Sequence, residues 1–233
     1  MNVSHAVYSG LGRRKNNEDY ATITKTPSGL IGIVADGVGG QAYGELASQL
    51  AVQTLISQTA SSEVSPDVLK DAILDANARI VQLQETHPGA QTTIAALWLN
   101  AHCAIAMHVG DTRIYQFREG KIVFQSLDHS VAQLAVMNGE LQQEEVRNSR
   151  SRNMLFRALG DPSVPRISEQ LLEVFPGDRF LICTDGFWEK ILEPEMLQVA
   201  FSTDDAEEWL RQMRVFVEPT AADNNTAAAL IIQ

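Results

Sequence analysis

Apolar residues along the chain fall into two rhythms. Leu30-Ile31-Gly32-Ile33-Val34-Ala35 is an unbroken apolar run, the pattern of a strand covered on both faces. Shorter strand-like stretches occupy 2–9, 20–26, 92–100, 102–109, 112–118, 121–126, 167–174 and 178–184, and Thr226 to Ile232 reads as one more apolar strand. Arg118-Glu119-Gly120-Lys121 has the composition of a hairpin turn, and Pro176-Gly177-Asp178 splits the strands on either side of it. Helical spacing appears at 42–60, where Leu46, Leu50, Leu55 and Ile56 recur at intervals near three to four residues. Ser65-Pro66-Asp67 opens a second helix, with Ser65 as N-cap and Pro66 in the first turn. That helix carries Val68, Ile73, Ile80 and Leu83 and ends near His87-Pro88-Gly89. Residues 129–157 are polar and read as mostly helical, and helical patterns return at 186–200 and 204–217.

Short strands in quick succession imply antiparallel pairing, and helices segregated from them imply an α+β layering. Two sheets held between helix pairs fit this order of elements. No repeat, low-complexity tract or long Pro/Gly/Ser linker divides the chain, so residues 1–233 read as a single domain.

Composition narrows the picture. Hydrophobic residues make up 45% and charged residues 20%, which excludes disorder over most of the chain. No apolar run approaches the roughly 18 residues of a membrane helix. Met1-Asn2-Val3-Ser4-His5 has no basic start followed by an apolar stretch, so no signal peptide is expected and the cytoplasm is the expected location. Cys103 and Cys183 lie in apolar segments and read as small core residues of a reducing compartment. The net charge of −11 argues against nucleic acid and anionic membranes as partners. It suits a protein that concentrates carboxylates to hold cations.

The placement of the aspartates carries the most information. Ile33-Val34-Ala35 runs straight into Asp36-Gly37, and Leu181-Ile182-Cys183-Thr184 into Asp185-Gly186. Met107-His108-Val109-Gly110 leads to Asp111 in the same way, whereas Asp223-Asn224-Asn225 precedes a strand. In antiparallel sheets the exit of one strand lies beside the entry of its neighbour. Three acids at strand exits and one at an entry therefore can meet at one edge, and Glu18-Asp19, just before 20–26, can join them. Such a crowd of carboxylates repels itself unless cations neutralise it. Hard divalent ions with oxygen ligands, Mg²⁺ or Mn²⁺, answer that need, and the absence of His and Cys from the set disfavours zinc. Gly37, Gly39 and Gly40 let the backbone turn sharply and approach a ligand. Alone, each Asp-Gly is most often just a turn; the weight rests on the combination and its order.

That combination resembles the metal-dependent Ser/Thr protein phosphatase family (PPM, the two-C type) in its compact bacterial form. The similar segments are Arg14-Lys15-Asn16-Asn17-Glu18-Asp19, Val34-Ala35-Asp36-Gly37-Val38-Gly39-Gly40, Gln91-Thr92-Thr93, Val109-Gly110-Asp111-Thr112-Arg113-Ile114-Tyr115, Asp128-His129-Ser130, Arg157-Ala158-Leu159-Gly160, Thr184-Asp185-Gly186 and Asp223-Asn224-Asn225-Thr226. They follow the family's order over nearly the whole chain. The resemblance implies a four-layer αββα sandwich of two antiparallel sheets flanked by helix pairs, with the metal centre in a cleft at one edge. It implies that Asp36 bridges two Mg²⁺ or Mn²⁺ ions, that the Gly37 carbonyl ligates one, that Glu18 ligates the second, and that Asp185 and Asp223 ligate the first. Asp19 would hold water on a metal from behind. Bacterial members often bind a third, weaker metal, for which Asp111 and Asp185 are the matching positions. Arg14 would grip the substrate phosphate. Val38 stands where the animal enzymes carry a histidine proposed as general acid. Residues 131–156 match the family's flap, expected to be mobile and to affect substrate choice.

The implied activity is hydrolysis of phosphoserine and phosphothreonine in proteins, opposing a Ser/Thr kinase, by a monomer. Two metals roughly 3.5–4 Å apart lower the pKa of a water and aim it at phosphorus. Two other readings compete: a phosphatase-like binding module that has lost turnover, and a metal hydrolase of another phosphoester such as a nucleotide. Every matching metal position is acidic, against the first. No Gly-rich Lys-Ser/Thr phosphate loop is present, against the second.

Overall fold

The computed structural model describes residues 2–38, 43–63, 65–163 and 165–233. Gly39 and Gly40, expected to help the chain turn, lie outside the described residues. Two antiparallel sheets lie face to face. One runs in the order β1 (Val3–Gly10), β11 (Asn225–Ile232), β10 (Arg179–Cys183), β7 (Arg113–Arg118), β8 (Lys121–Gln125). The other runs β2 (Asp19–Thr26), β3 (Gly29–Val38), β5 (Ile94–Leu99), β6 (Cys103–Val109), β9 (Ser168–Glu173), with the two-residue β4 (Gln91–Thr92) pairing β3 beyond the start of β5. The pattern of short consecutive strands is therefore the antiparallel pairing expected of it.

The unbroken apolar runs have a simple cause. Alternate side chains leave a strand on opposite faces, and the central strands are covered on both. Ile31, Ile33 and Ala35 of β3 face α1 (Gly44–Thr59) and α2 (Pro66–Leu83), while Leu30 and Val34 pack between the sheets. Ala227, Ala229 and Ile231 of β11 face the helices on the other side, and Ala228, Leu230 and Ile232 turn inward. Those helices are α4 (Asp185–Trp188), α5 (Glu193–Ala200) and α6 (Ala206–Val217), where Trp209 sets its ring edge-on to Phe117 at 5.6 Å. Three apolar layers thus separate helix, sheet, sheet and helix, the expected αββα sandwich. No helix among the described residues is long and apolar enough to cross a membrane.

Several local expectations need correction. Residues 129–157 are not mostly helical: they hold α3 (Val131–Met137) and one 3-10 turn (Gln143–Asn148), joined by turns. The pattern at 186–200 is two helices, because Pro194 starts a new one and Glu195 accepts the Leu192 N–H at 2.7 Å. Ser65 occupies the N-cap position of α2, yet its side chain makes no capping hydrogen bond. Cys183 is a buried core thiol, but Cys103 is only half-buried at the start of β6. The hairpin at Glu119-Gly120 is as expected, with both residues at positive φ, 48° and 74°.

Candidate metal centre

The sheet edges deliver the acids to one place. Asp36 sits near the end of β3, Asp19 at the start of β2, and the two are register partners. Asp111 follows β6, Asp185 opens α4 after β10, and Asp223 precedes β11. A cavity of about 200 Å³ is lined by Arg14, Glu18, Asp36, Gly37, Val38, Thr93, Asp111, Asn153, Leu155, Asp185, Asp223 and Asn224. Seven of the eight residues singled out from the sequence are in that lining. The eighth, Asp19, lies behind it, 6% exposed.

Hydrogen bonds explain why these positions converge. Asn224 is the staple: its Oδ1 accepts the Glu18 N–H at 2.9 Å, and its Nδ2 donates to the carbonyls of Leu11 and Asn16, both at 3.0 Å. The loop that carries Arg14 and Glu18 is thereby tied to the turn that carries Asp223. Asp36 is held by two threonines: its N–H donates to Thr93 Oγ1 at 3.0 Å and its carbonyl accepts from Thr92 Oγ1 at 2.8 Å. Thr184 donates its hydroxyl to Asp19 Oδ2 at 3.0 Å, linking the two sheets under the cavity. The Trp188 indole donates to the Asp111 carbonyl at 3.0 Å. Two glycines permit the approach. A Cβ on Gly37 would overlap the backbone of Gly44 at the start of α1, and one on Gly186 would overlap the Asn224 carbonyl.

Electrostatically the site is strained as it stands. Burial pushes the Asp36 carboxyl well above the usual carboxylate range, and Asp19, Asp185, Asp111 and Asp223 push it the same way. Burial does the same to Asp111, with Asp185 and Asp128 adding to it. Asp19 and Asp185 are each pushed up to about 7, chiefly by burial. Glu18 is raised by burial against the pull of Arg14. Arg14 Nη2 donates to Asp223 Oδ2 at 2.6 Å, which leaves its other donors facing the cavity without a partner among the described residues.

The donor set is all oxygen, carboxylates with backbone carbonyls and no His or Cys. That chemistry fits hard divalent cations. A second observation agrees: Asp19 Oδ1 is buried with no hydrogen-bond partner. Among the described residues no three His, Cys, Asp or Glu side chains close around a single point. Mg²⁺ keeps several of its waters and takes only one or two carboxylates directly, so such an ion does not need three acids at one point.

Sequence reasoning noticed Thr92-Thr93 and Asn224 as part of motifs without giving them a task; the structure makes them the braces of Asp36 and Glu18. Asn153 and Leu155 were missed. They reach the cavity from an irregular, polar segment with no periodic signal.

A family model described as protein phosphatase 2C matches residues 8–230. The serine/threonine protein phosphatase PstP of Mycobacterium tuberculosis is 30% identical over 224 residues, 91% of this chain and 41% of PstP, so the chain spans less than half of that relative. A solved structure of the PstP catalytic domain in complex with two manganese ions is 27% identical with a TM-score of 0.84, covering 99% of each chain. PppA of Pseudomonas aeruginosa, described as a key regulatory component of a type VI secretion system, is 29% identical with a TM-score of 0.86, covering 99% of this chain and 98% of PppA.

Proposed function

The chain belongs to the protein phosphatase 2C family, and from that premise we propose that the acid-lined cavity is its catalytic centre, working with two Mg²⁺ or Mn²⁺ ions and room for a third. The protein is a metal-dependent serine/threonine phosphatase. One observation carries the assignment of the site: Glu18, Asp36, Asp111, Asp185 and Asp223, brought from five separate strand ends, line one cavity together with Arg14.

In this reading Asp36 would be shared by two cations, Glu18 would hold one, Asp185 and Asp223 the other, and the Gly37 carbonyl one of the two. Asp111 and Asp185 would hold a third. When bound, such cations supply an activated water for in-line attack on phosphorus and neutralise the phosphoryl oxygens. The chain does the rest. The free donors of Arg14 take the phosphoryl oxygens in a planar fork that lysine matches poorly. Asp19, buried behind the wall with one oxygen unpartnered, orients water from below. Val38 lines the cavity but has no proton to give to the leaving oxygen. Substrates are phosphoproteins, made by a Ser/Thr kinase, and the enzyme acts as a monomer in the cytoplasm. A binding module without turnover would tolerate loss of the acids, and all are present.

The test is phosphate release from a phosphothreonine peptide. Release with Mn²⁺ that stops on adding EDTA supports the reading; release unaffected by EDTA contradicts it.

A further inference from the structure

The cavity holds three uncharged polar side chains, Thr93, Asn153 and Asn224. Two are fully engaged. Thr93 Oγ1 accepts the Asp36 N–H and shares a 2.6 Å hydrogen bond with Thr112 Oγ1. Asn224 spends both ends of its amide on the 11–18 loop. Asn153 alone has no side-chain hydrogen-bond partner among the described residues, and it is exposed at the cavity mouth.

The chain on either side of it, by contrast, is tied down. On one side Arg152 Nε donates to Glu189 Oε1 at 2.5 Å, just beyond α4, the helix that Asp185 opens. On the other, the Met154 carbonyl accepts the Val131 N–H at 2.9 Å and the Phe156 N–H donates to the His129 carbonyl at 3.0 Å. The result is a free amide on a fixed stem. With the stem fixed, binding has to order only the torsions of the Asn153 side chain itself.

The volume says what that amide meets. About 200 Å³ is below the range that encloses a drug-sized ligand. A space of that size takes a phosphorylated side chain, and the main chain bearing it would then lie outside, beside the exposed Asn153 and the half-buried Leu155. A carboxamide offers one acceptor and two donors, the complement of a peptide unit. Being neutral, it adds nothing specific for the phosphoryl dianion, which Arg14, and the cations that the acids would hold, attract.

We propose that Asn153 hydrogen-bonds the peptide backbone of the substrate next to the phosphorylated residue, so that the site favours peptide-borne phosphate over small phosphate esters. This rests on the phosphatase reading above and assigns a specificity determinant within it. The side chain is exposed and supports nothing else, so Asn153→Ala leaves the fold intact.

The experiment compares wild type and N153A with Mn²⁺ on a phosphothreonine peptide, on p-nitrophenyl phosphate and with inorganic phosphate as inhibitor. The expected result is a KM for the peptide raised roughly three- to tenfold, the range of one or two uncharged hydrogen bonds. The kcat on peptide, kcat/KM on p-nitrophenyl phosphate and the inhibition constant of phosphate stay within about twofold. An unchanged peptide KM, or an equal loss on p-nitrophenyl phosphate, overturns the proposal. A wild-type chain inactive on both substrates would instead overturn the phosphatase reading, a different outcome.

Discussion

Asp19 and Asp36 start from the same rung of the β2–β3 ladder, as antiparallel register partners. Directly opposed residues in such a pair point to the same face. The two carboxylates therefore rise on one face, Asp36 into the cavity wall it shares with Asp111 and Asp185 and Asp19 just behind that wall. The fold holds these groups together against their repulsion, which is a cost in stability kept for a purpose. Replacing Asp36 by Asn removes one acid and keeps the shape. In EDTA, D36N is expected to melt a few degrees above wild type, on the order of 2–4 °C per kcal/mol for a chain of this size. With Mn²⁺ its phosphate release should fall at least a hundredfold. A metal-free D36N that melts at or below wild type would contradict the crowding argument.

The same crowding sets a pH dependence. The carboxyls of Asp19 and Asp185 are raised to about 7 in the fold, against an ordinary 3.8. A raised folded pKa means the folded state holds the proton longer than the unfolded chain. The resulting stability is fully present below about pH 3.8 and is lost as pH rises through about 7. Buried His108 and His129, stacked at 4.7 Å, act in the opposite sense, because burial lowers their pKa, to about 3 for His129. The useful measurement is thus a difference. In EDTA, D185N should gain stability over wild type steadily between pH 4 and 7, with the histidine contributions cancelling. A difference that does not vary with pH would refute the shift at Asp185.

Arg14 is more than half exposed, at 53%, and holds Asp223 by one nitrogen. Arg14→Ala should raise the inhibition constant of inorganic phosphate roughly tenfold to hundredfold, as expected for charge-assisted hydrogen bonds. Mn²⁺ affinity, measured by calorimetry, should change far less. Equal loss of both would show that Arg14 serves the Asp223 carboxylate and not the substrate.

Under the site, Arg113 and Asp128 form a two-pronged pair, both bonds 2.8 Å, with side chains 3% and 2% exposed. The guanidinium also lies 3.4 Å from the centre of the Trp188 ring, whose indole holds the Asp111 carbonyl. Asp128→Ala removes the two-pronged partner of a buried cation, leaving only the Glu193 carboxylate at 3.8 Å, and should cost roughly 3–5 kcal/mol in denaturant unfolding. Asp128→Asn, which keeps one acceptor, should cost less. Loss of under about 1 kcal/mol in D128A would mean that Glu193, the Trp188 ring and the Tyr115 hydroxyl, which accepts from Arg113 Nη1 at 3.0 Å, suffice to hold Arg113.

What the sequence revealed, and what it hid, divides along physical lines. The strand exits at Asp36, Asp111 and Asp185 were legible because a fully buried strand is an apolar run and its end is marked by an acid beside a glycine. Their convergence was legible because antiparallel pairing leaves few ways to arrange such ends. The segment 129–157 was not, since its conformation depends on partners far away in sequence. Arg147 and Arg152 find Glu193 and Glu189, and Ser130 pairs with Leu155. Such polar contacts leave no periodic trace, so Asn153 and Leu155 were invisible. Pro194 did carry a signal, a helix start within an apparently continuous pattern, that periodicity alone overrode.

The central claim is that acids from separate strands hold a pair of divalent cations through Asp36. Calorimetric titration of Mn²⁺ into metal-free wild type and D36A tests it most directly. Two ions per wild-type chain, with both sites lost or severely weakened in D36A, is the predicted result. A variant that takes up Mn²⁺ with the stoichiometry and affinity of the wild type would contradict it.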